Sequence, residues 1–250
     1  MSGSGPSRAF TVELPDQDDP EIGRELIRVH HHDGHTEELH LHDYARLYSL
    51  PGAYEEIVQE RLGCRSPAQM ASLLAAAADA IGHPRGGVRV LDLAAGNGVS
   101  GEALAAEGLV PVLGTDIVDA ARDAALRDRP GLYGSYLTLD LLQLAPQDKA
   151  AIRALRANAI NCVAPVGDGP QQLPTQALVA AAALLEGDAL VAYMHDPTLG
   201  VPDAVTEELW SDGLGAGVRA RQLQRRRYLH RHTVNGEPYE MEGVVWRLTR

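Results

Sequence analysis

From Val88 onward, short apolar runs alternate with amphipathic stretches. Continuous apolar runs predict strands buried on both faces: Val88–Leu93, Val110–Thr115, Ser135–Leu139, Ala159–Ala164 and Ala189–His195. Helical spacing of the apolar positions predicts helices between and after them, at Ser100–Gly108, Asp119–Arg127, Gln147–Ala157, Pro174–Leu185 and Asp203–Ser211. Gly187 ends the fourth of these helices as a C-cap. Strand and helix in regular alternation predict an α/β fold with a doubly wound, mostly parallel sheet. The pattern changes between Arg221 and Arg250, where two strand-like runs flank the turn signal Asn235-Gly236. A terminal antiparallel hairpin brings the expected sheet to seven strands.

The chain before Val88 reads differently. Met1 to Pro20 is rich in Gly, Ser, Pro and Asp and is expected to be poorly ordered. Leu26 to His42 alternates apolar and polar residues. Pairing Val29 with Leu39 and Ile27 with Leu41 gives a hairpin closed by Asp33-Gly34-His35, with Gly34 left-handed. Tyr44–Arg61 and Ser66–Ile81 show helical spacing, the first broken at Pro51-Gly52. The expected organisation is a tail over 1–25, a hairpin and helical lid over 26–82, and the α/β domain over 83–250.

Composition narrows the function classes. At 250 residues the chain can bury a sizeable core. A net charge of −12, from 34 acidic against 22 basic residues, argues against nucleic acid as a partner. Lys149 is the sole lysine and no tyrosine precedes it by four, so the Tyr-x-x-x-Lys pair of short-chain dehydrogenases is absent. Cys64 and Cys162 read as buried thiols in a reducing cytosol. No run has the apolar length of a membrane span, and Met1–Arg8 lacks a signal-peptide core. These features predict a cytoplasmic protein.

The candidate chemistry lies in Val88–Gly98, V-R-V-L-D-L-A-A-G-N-G. A buried strand ends near Asp92, and Gly96 and Gly98 let the backbone turn and approach a ligand closely ahead of a helix N-terminus. Asp116, twenty residues after Gly96, ends the next strand and suits a ribose diol. Gly96-Asn97-Gly98-Val99-Ser100-Gly101 also fits the dinucleotide fingerprint, so glycines and Asp116 leave two ligand classes open. Asp92 separates them: a carboxylate repels a pyrophosphate but favours a sulfonium and an ammonium.

Here the chain resembles class I S-adenosylmethionine-dependent methyltransferases, whose first motif is an acidic residue followed by G-x-G-x-G. Asp92-Leu93-Ala94-Ala95-Gly96-Asn97-Gly98 matches it with Ala94 in place of the first glycine. The resemblance runs from Tyr44 to the end. It is closest to small-molecule enzymes of bacteria and to the Williams–Beuren-region methyltransferase-like proteins, with a looser likeness at Gly131-Leu132-Tyr133. It implies S-adenosylmethionine as cofactor, held by Asp92, Ala94, Gly96, Asn97, Gly98, Asp116, Ile117, Asp140, Leu141 and Pro165. It implies a lid whose Tyr44, Tyr48 and Tyr54, with Asp168, face the acceptor. Asn161-Cys162-Val163-Ala164 does not match the Asn-Pro-Pro-Tyr run of amino-directed nucleic-acid enzymes.

His195, at the end of the fifth strand, is the first choice for a general base. Asp168 and Asp196 alone do not make a magnesium site. Six of the ten histidines fall between His30 and His42, without the spacing of a specific metal geometry, so no metal is expected. The arginines from Arg219 to Arg231 read as a charged edge strand rather than an anion-binding face. The leading expectation is O- or N-methylation of a small molecule. A nicotinamide oxidoreductase and a non-catalytic cofactor-binding module are the alternatives. The N-terminal hairpin either pairs across a homodimer or covers its own sheet.

Overall fold

The computed structural model describes residues 9–18, 21–169, 171–199 and 203–250. Residues 1–8, 19 and 20 of the expected tail lie outside them. Ten strands and seven α-helices are described. The first three strands, β1 (Phe10–Glu13), β2 (Leu26–His31) and β3 (Thr36–His40), form an antiparallel sheet of their own in the order β1-β2-β3. The main sheet holds β4 (Arg89–Leu93), β5 (Val110–Asp116), β6 (Ser135–Thr138), β7 (Ala159–Pro165), β8 (Ala189–His195), β9 (Arg219–His232) and β10 (Pro238–Thr249). Its order is β6-β5-β4-β7-β8-β10-β9. The first five strands in that order run parallel, and β10 is antiparallel to both β8 and β9. The architecture is the expected doubly wound sheet with a terminal hairpin.

Helices cover both faces. On one face α5 (Pro146–Ala154), α6 (Thr175–Ala182) and α7 (Glu207–Leu214) bury Ile152, Leu178 and Trp210 against Val191, Tyr193 and Val244. On the other, α2 (Ser66–Ala80) and α3 (Val99–Ala106) bury Met70, Leu74 and Leu104 against Val90, Ala192 and Val245. Both halves of the sheet's apolar pattern are thereby removed from water, as continuous apolar strands require. The remaining helices, α1 (Tyr44–Ser49) and α4 (Asp119–Asp128), pack together, and a π-helical turn spans Glu55–Arg61. Pro51-Gly52 separates α1 from that turn, so the break lies where the sequence places it. A third core joins the small sheet to this segment: Phe10, Val12, Ile27 and Val29 pack with Leu47 and Ile57.

Two expectations for the N-terminal region are corrected. Phe10–Glu13 is a strand paired with β2, not part of a structureless tail; Phe10 and Val12 are its buried face. The hairpin register also differs by two residues, with Ile27 opposite Leu39 and Val29 opposite Glu37. A shift of two keeps every side chain on its own face, so apolar patterning cannot choose between the registers. Turn geometry chooses: His31 N–H donates to His35 O and Gly34 N–H to His31 O, with Gly34 at φ 95°. The hairpin completes its sheet with β1 of the same chain.

The arginines of β9 divide by environment. Arg225 pairs with Glu242 and Asp203, and Arg227 with Glu240. Arg231 departs from the expected solvated edge: its side chain is 4% exposed and its Nη2 lies 2.6 Å from Oε1 of the fully buried Glu25. That ion pair ties the segment entering β2 to the terminal hairpin. Among the described residues, no helix is long and apolar enough to cross a membrane.

Candidate functional site

In an open α/β sheet the crevice lies beyond the carboxyl ends of the strands, where the order reverses. Here that point is between β4 and β7, above the loop Ala94–Gly98. The loop turns through three left-handed residues: Ala94 at φ 49°, Gly96 at φ 54° and Gly98 at φ 89°. Glycine adopts this conformation freely, whereas Ala94 carries a Cβ and holds it at a cost of about 1–2 kcal/mol. Asp116 holds the loop: one carboxylate oxygen accepts Gly96 N–H at 3.0 Å and the other accepts Val118 N–H at 3.0 Å. Burial raises the Asp116 carboxyl above its ordinary pKa. Ile117 beside it is 70% exposed, a bare apolar side chain at the strand end.

Asp92 occupies a different place from the one electrostatics suggests. It is fully buried behind the loop and does not line the cavity. Ser100 Oγ and Tyr133 Oη each donate to its Oδ2 at 2.6 Å, and Asn161 Nδ2 donates to Oδ1 at 2.9 Å. One carboxylate thus joins the end of β4, the start of α3, the segment before β6 and the middle of β7. Burial raises its pKa while the three donors oppose the rise. Tyr136 Oη adds a bond to Gly96 O at 2.7 Å. Both tyrosines reach in over glycines, since a Cβ on Gly101 would lie 2.3 Å from Tyr133 Oη and one on Gly114 would lie 2.7 Å from the Tyr136 ring.

The lid closes on the loop from above. A Cβ on Gly96 would lie 2.4 Å from Tyr48 Oη. Tyr44 stacks on Tyr48 with ring centroids 5.8 Å apart, and Tyr54 tilts against Tyr48 at 4.9 Å. Glu55, in the π-helical turn, accepts from Asn97 Nδ2 at 3.3 Å and from Arg129. Arg129 also donates to Asn97 O at 3.1 Å and to Glu102 at 2.8 Å. The latch therefore joins lid, loop, α3 and the end of α4. Under it lies a cavity of about 60 Å³, lined by Tyr48, Tyr54, Gly96, Val163, Cys64 and His230 among others.

The other expected site residues are distributed as follows. Asp140 closes a turn by accepting Leu142 N–H at 2.9 Å and Gln143 Nε2 at 2.8 Å. Leu141 lines a separate cavity of about 250 Å³ with Lys149, Arg153 and Leu184. Pro165 ends β7 after a register irregularity, and its carbonyl accepts Leu173 N–H. Asp168 accepts from Thr175 Oγ1 at 3.0 Å at the start of α6 rather than lining the cavity. His195 bonds Glu242 Oε2 through Nε2 at 2.7 Å, in the cluster with Arg225 and Asp203, and also lies outside the cavity lining.

The histidine that reaches the cavity is His230, on β9. Its Nδ1 lies 2.6 Å from Ser66 Oγ and 3.8 Å from Cys64 Sγ. One side of the ring opens on the cavity while the rest is packed, and burial, with Arg231 nearby, lowers its pKa to about 3. The ring is therefore a neutral base at neutral pH. The sequence signal for it was the alternation of β9, which puts His230 on the same face as buried Tyr228. A neutral buried histidine also sets the acid response of the fold. The unfolded chain takes up a proton near pH 6.5 that the folded chain refuses until about pH 3, so stability falls as pH drops through that window. Urea unfolding at pH 7 and pH 5 should differ by about 2 kcal/mol from this residue. That component should vanish in His230→Asn; a variant with the parent's pH slope would count against a neutral His230.

No protein-family model matches the chain, and no curated protein matches it. Solved structures of similar fold do exist. The magnesium protoporphyrin IX methyltransferase of Synechocystis, solved with bound S-adenosylmethionine, is 18% identical, covers 76% of this chain and 83% of its own, and superposes with a TM-score of 0.46. A protein of Pyrococcus horikoshii assigned as an RNA methyltransferase is 16% identical over 72% of this chain and 82% of its own, with a TM-score of 0.48. A TehB-like S-adenosylmethionine-dependent methyltransferase of Corynebacterium glutamicum is 19% identical over 69% and 85%, at 0.41. Each of the three is less than 20% identical to this chain and superposes with a TM-score below 0.5.

Proposed function

We propose that the chain binds S-adenosylmethionine at the carboxyl ends of β4 and β5 and directs its methyl group to a small-molecule acceptor. The observation that carries this reading is the pairing of Asp116 with the exposed Ile117. A carboxylate already bonded to the glycine loop keeps free lone pairs for a ribose diol, and the apolar side chain beside it suits an adenine face. The adenosyl half of the cofactor therefore fits the residues present. Tyr48 and Tyr54 take up the space beside Gly96, and the cavity of about 60 Å³ is far below the several hundred Å³ of typical ligand sites. Full engagement needs the Tyr44–Arg61 segment to yield.

When bound, the cofactor supplies an activated methyl on a sulfonium, and positioning provides much of the rate. Asp116 and Ile117 would hold the adenosyl part, and the loop Ala94–Gly98 would present bare backbone to the rest. Asp92 would keep that loop in shape from behind, with Leu141, Asp140 and Pro165 at one remove. Tyr44, Tyr48 and Tyr54 would exclude water and face the acceptor. His230, rather than the expected His195, borders the cavity; with its pKa held low, its neutral ring would orient a hydroxyl or amine acceptor by hydrogen bonding rather than carry off its proton. The small volume of the cavity and the net charge of −12 both favour a small acceptor over a nucleic acid.

The closed lid also supports a second reading, a binding module without turnover. Calorimetry with S-adenosylhomocysteine tests both. Tyr48→Ala removes the side chain that covers Gly96, so the fraction of molecules ready to bind should rise and affinity should improve roughly tenfold. Absence of binding in both the parent and Tyr48→Ala would overturn the cofactor assignment. Binding without methyl transfer to any of a panel of phenols, catechols and amines would favour the module.

A further inference from the structure

The histidine-rich hairpin was expected to be a solvated face, yet it brings three ligand-type side chains to one point. We infer that His31, His35 and Glu37 form a binding site for a divalent metal ion of borderline character, such as zinc. His31 ends β2, and His35 and Glu37 lie across the turn. The turn carries the inference: its tight closure at Gly34 sets His35 directly opposite His31. One ligand atom from each of the three residues lies within 4.8 Å of the other two. Glu37 Oε1 is 2.6 Å from His31 Nε2 and 3.5 Å from His35 Nε2. The imidazoles stack, with centroids 4.0 Å apart and planes inclined by 8°.

Three further observations make this more than a crowded surface. His31 Nε2 is sealed from solvent and faces the Glu37 carboxylate off the line of an ideal hydrogen bond. His35 Nδ1 lies 2.6 Å from Asp33 Oδ1. A proton shared there leaves His35 Nε2 with its lone pair toward the cluster, as in the carboxylate–histidine–metal arrangement. Arg46 donates to both oxygens of Glu37, at 2.7 Å through Nε, and orients the carboxylate as an outer partner would. His30 is turned the other way, bonded to Glu13 and Thr36, and takes no part. Two imidazoles and a carboxylate suit zinc, nickel or cobalt rather than magnesium or calcium, and leave a fourth position for water. Coordination requires the stacked rings to fan apart, an adjustment open to His35, whose side chain is 53% exposed.

The test uses the whole protein, stripped with a chelator and titrated with zinc chloride by calorimetry and with cobalt chloride by visible absorption. One equivalent should bind with roughly micromolar affinity and produce cobalt d–d bands. His35→Ala and Glu37→Gln should each weaken binding by at least about tenfold, and Asp33→Asn by about tenfold through loss of the outer partner. His30→Ala and His32→Ala should leave affinity unchanged. Equal affinity in His35→Ala and the parent, loss of binding in His30→Ala or His32→Ala, or no saturable binding would each overturn the site. His35→Ala changes an exposed residue, so its folding is expected to match the parent.

Discussion

Arg231→Met should lower the melting temperature by on the order of 10 °C. The guanidinium is buried against Glu25, which is itself fully inaccessible, at 2.6 Å. Removing one partner of such a pair leaves the other charged and unpaired out of water, at a cost of about 3–5 kcal/mol. For a domain of this size each kcal/mol moves the midpoint by about 2–4 °C. The loss is due mainly to the stranded carboxylate rather than to the missing attraction. The double variant Arg231→Met with Glu25→Leu should therefore recover much of the deficit, because no charge is left behind. Scanning calorimetry of parent, single and double variants decides the matter. A single variant within a degree or two of the parent would mean that water reaches Glu25 and the pair does little.

The second large effect concerns Asp116. If its carboxylate receives a ribose diol, Asp116→Ala forfeits two charge-assisted hydrogen bonds worth about 1.5–3 kcal/mol each. Affinity for S-adenosylhomocysteine should fall by roughly 100-fold or more. The same substitution removes the carboxylate that accepts Gly96 N–H. Part of the loss would then come from a loosened loop, and Asp116→Asn separates the two contributions. Asparagine keeps an oxygen for Gly96 N–H but offers the diol an uncharged acceptor, so it should fall between alanine and the parent. Equal affinity in all three proteins would place the cofactor elsewhere.

The strands of the main sheet were legible because each obeyed a local rule. Buried parallel strands declared themselves as continuous apolar runs, and Asn235-Gly236 announced the terminal hairpin. What escaped the sequence depended on partners far along the chain. Asp92 gives no local sign that Tyr133 and Asn161, 41 and 69 residues away, will bond to it. Its charge alone suggested a ligand contact, and only the fold shows the carboxylate turned inward. Phe10 and Val12 do alternate with polar neighbours, but four residues in a Gly- and Pro-rich stretch are a weak signal for a strand. The hairpin register was ambiguous by parity. Buried arginine is rare, so Arg231 was read with its exposed neighbours, and Glu25 gave no hint of its partner.

The place of β10 has a consequence for synthesis. It lies between β8 and β9, so β9 reaches the sheet only through a strand made after it. Until β10 emerges, β9 is a fourteen-residue segment with unpaired backbone on both sides. Such a segment would ordinarily recruit a neighbouring chain. Arg225, Arg226 and Arg227 at its centre, with Arg219 and Arg221 before them, set like charges against like in any two nascent copies. In the finished fold Arg225 and Arg227 find carboxylates on β10. The same side chains thus serve in turn as guards against mispairing and as guides for the strand that finally covers them.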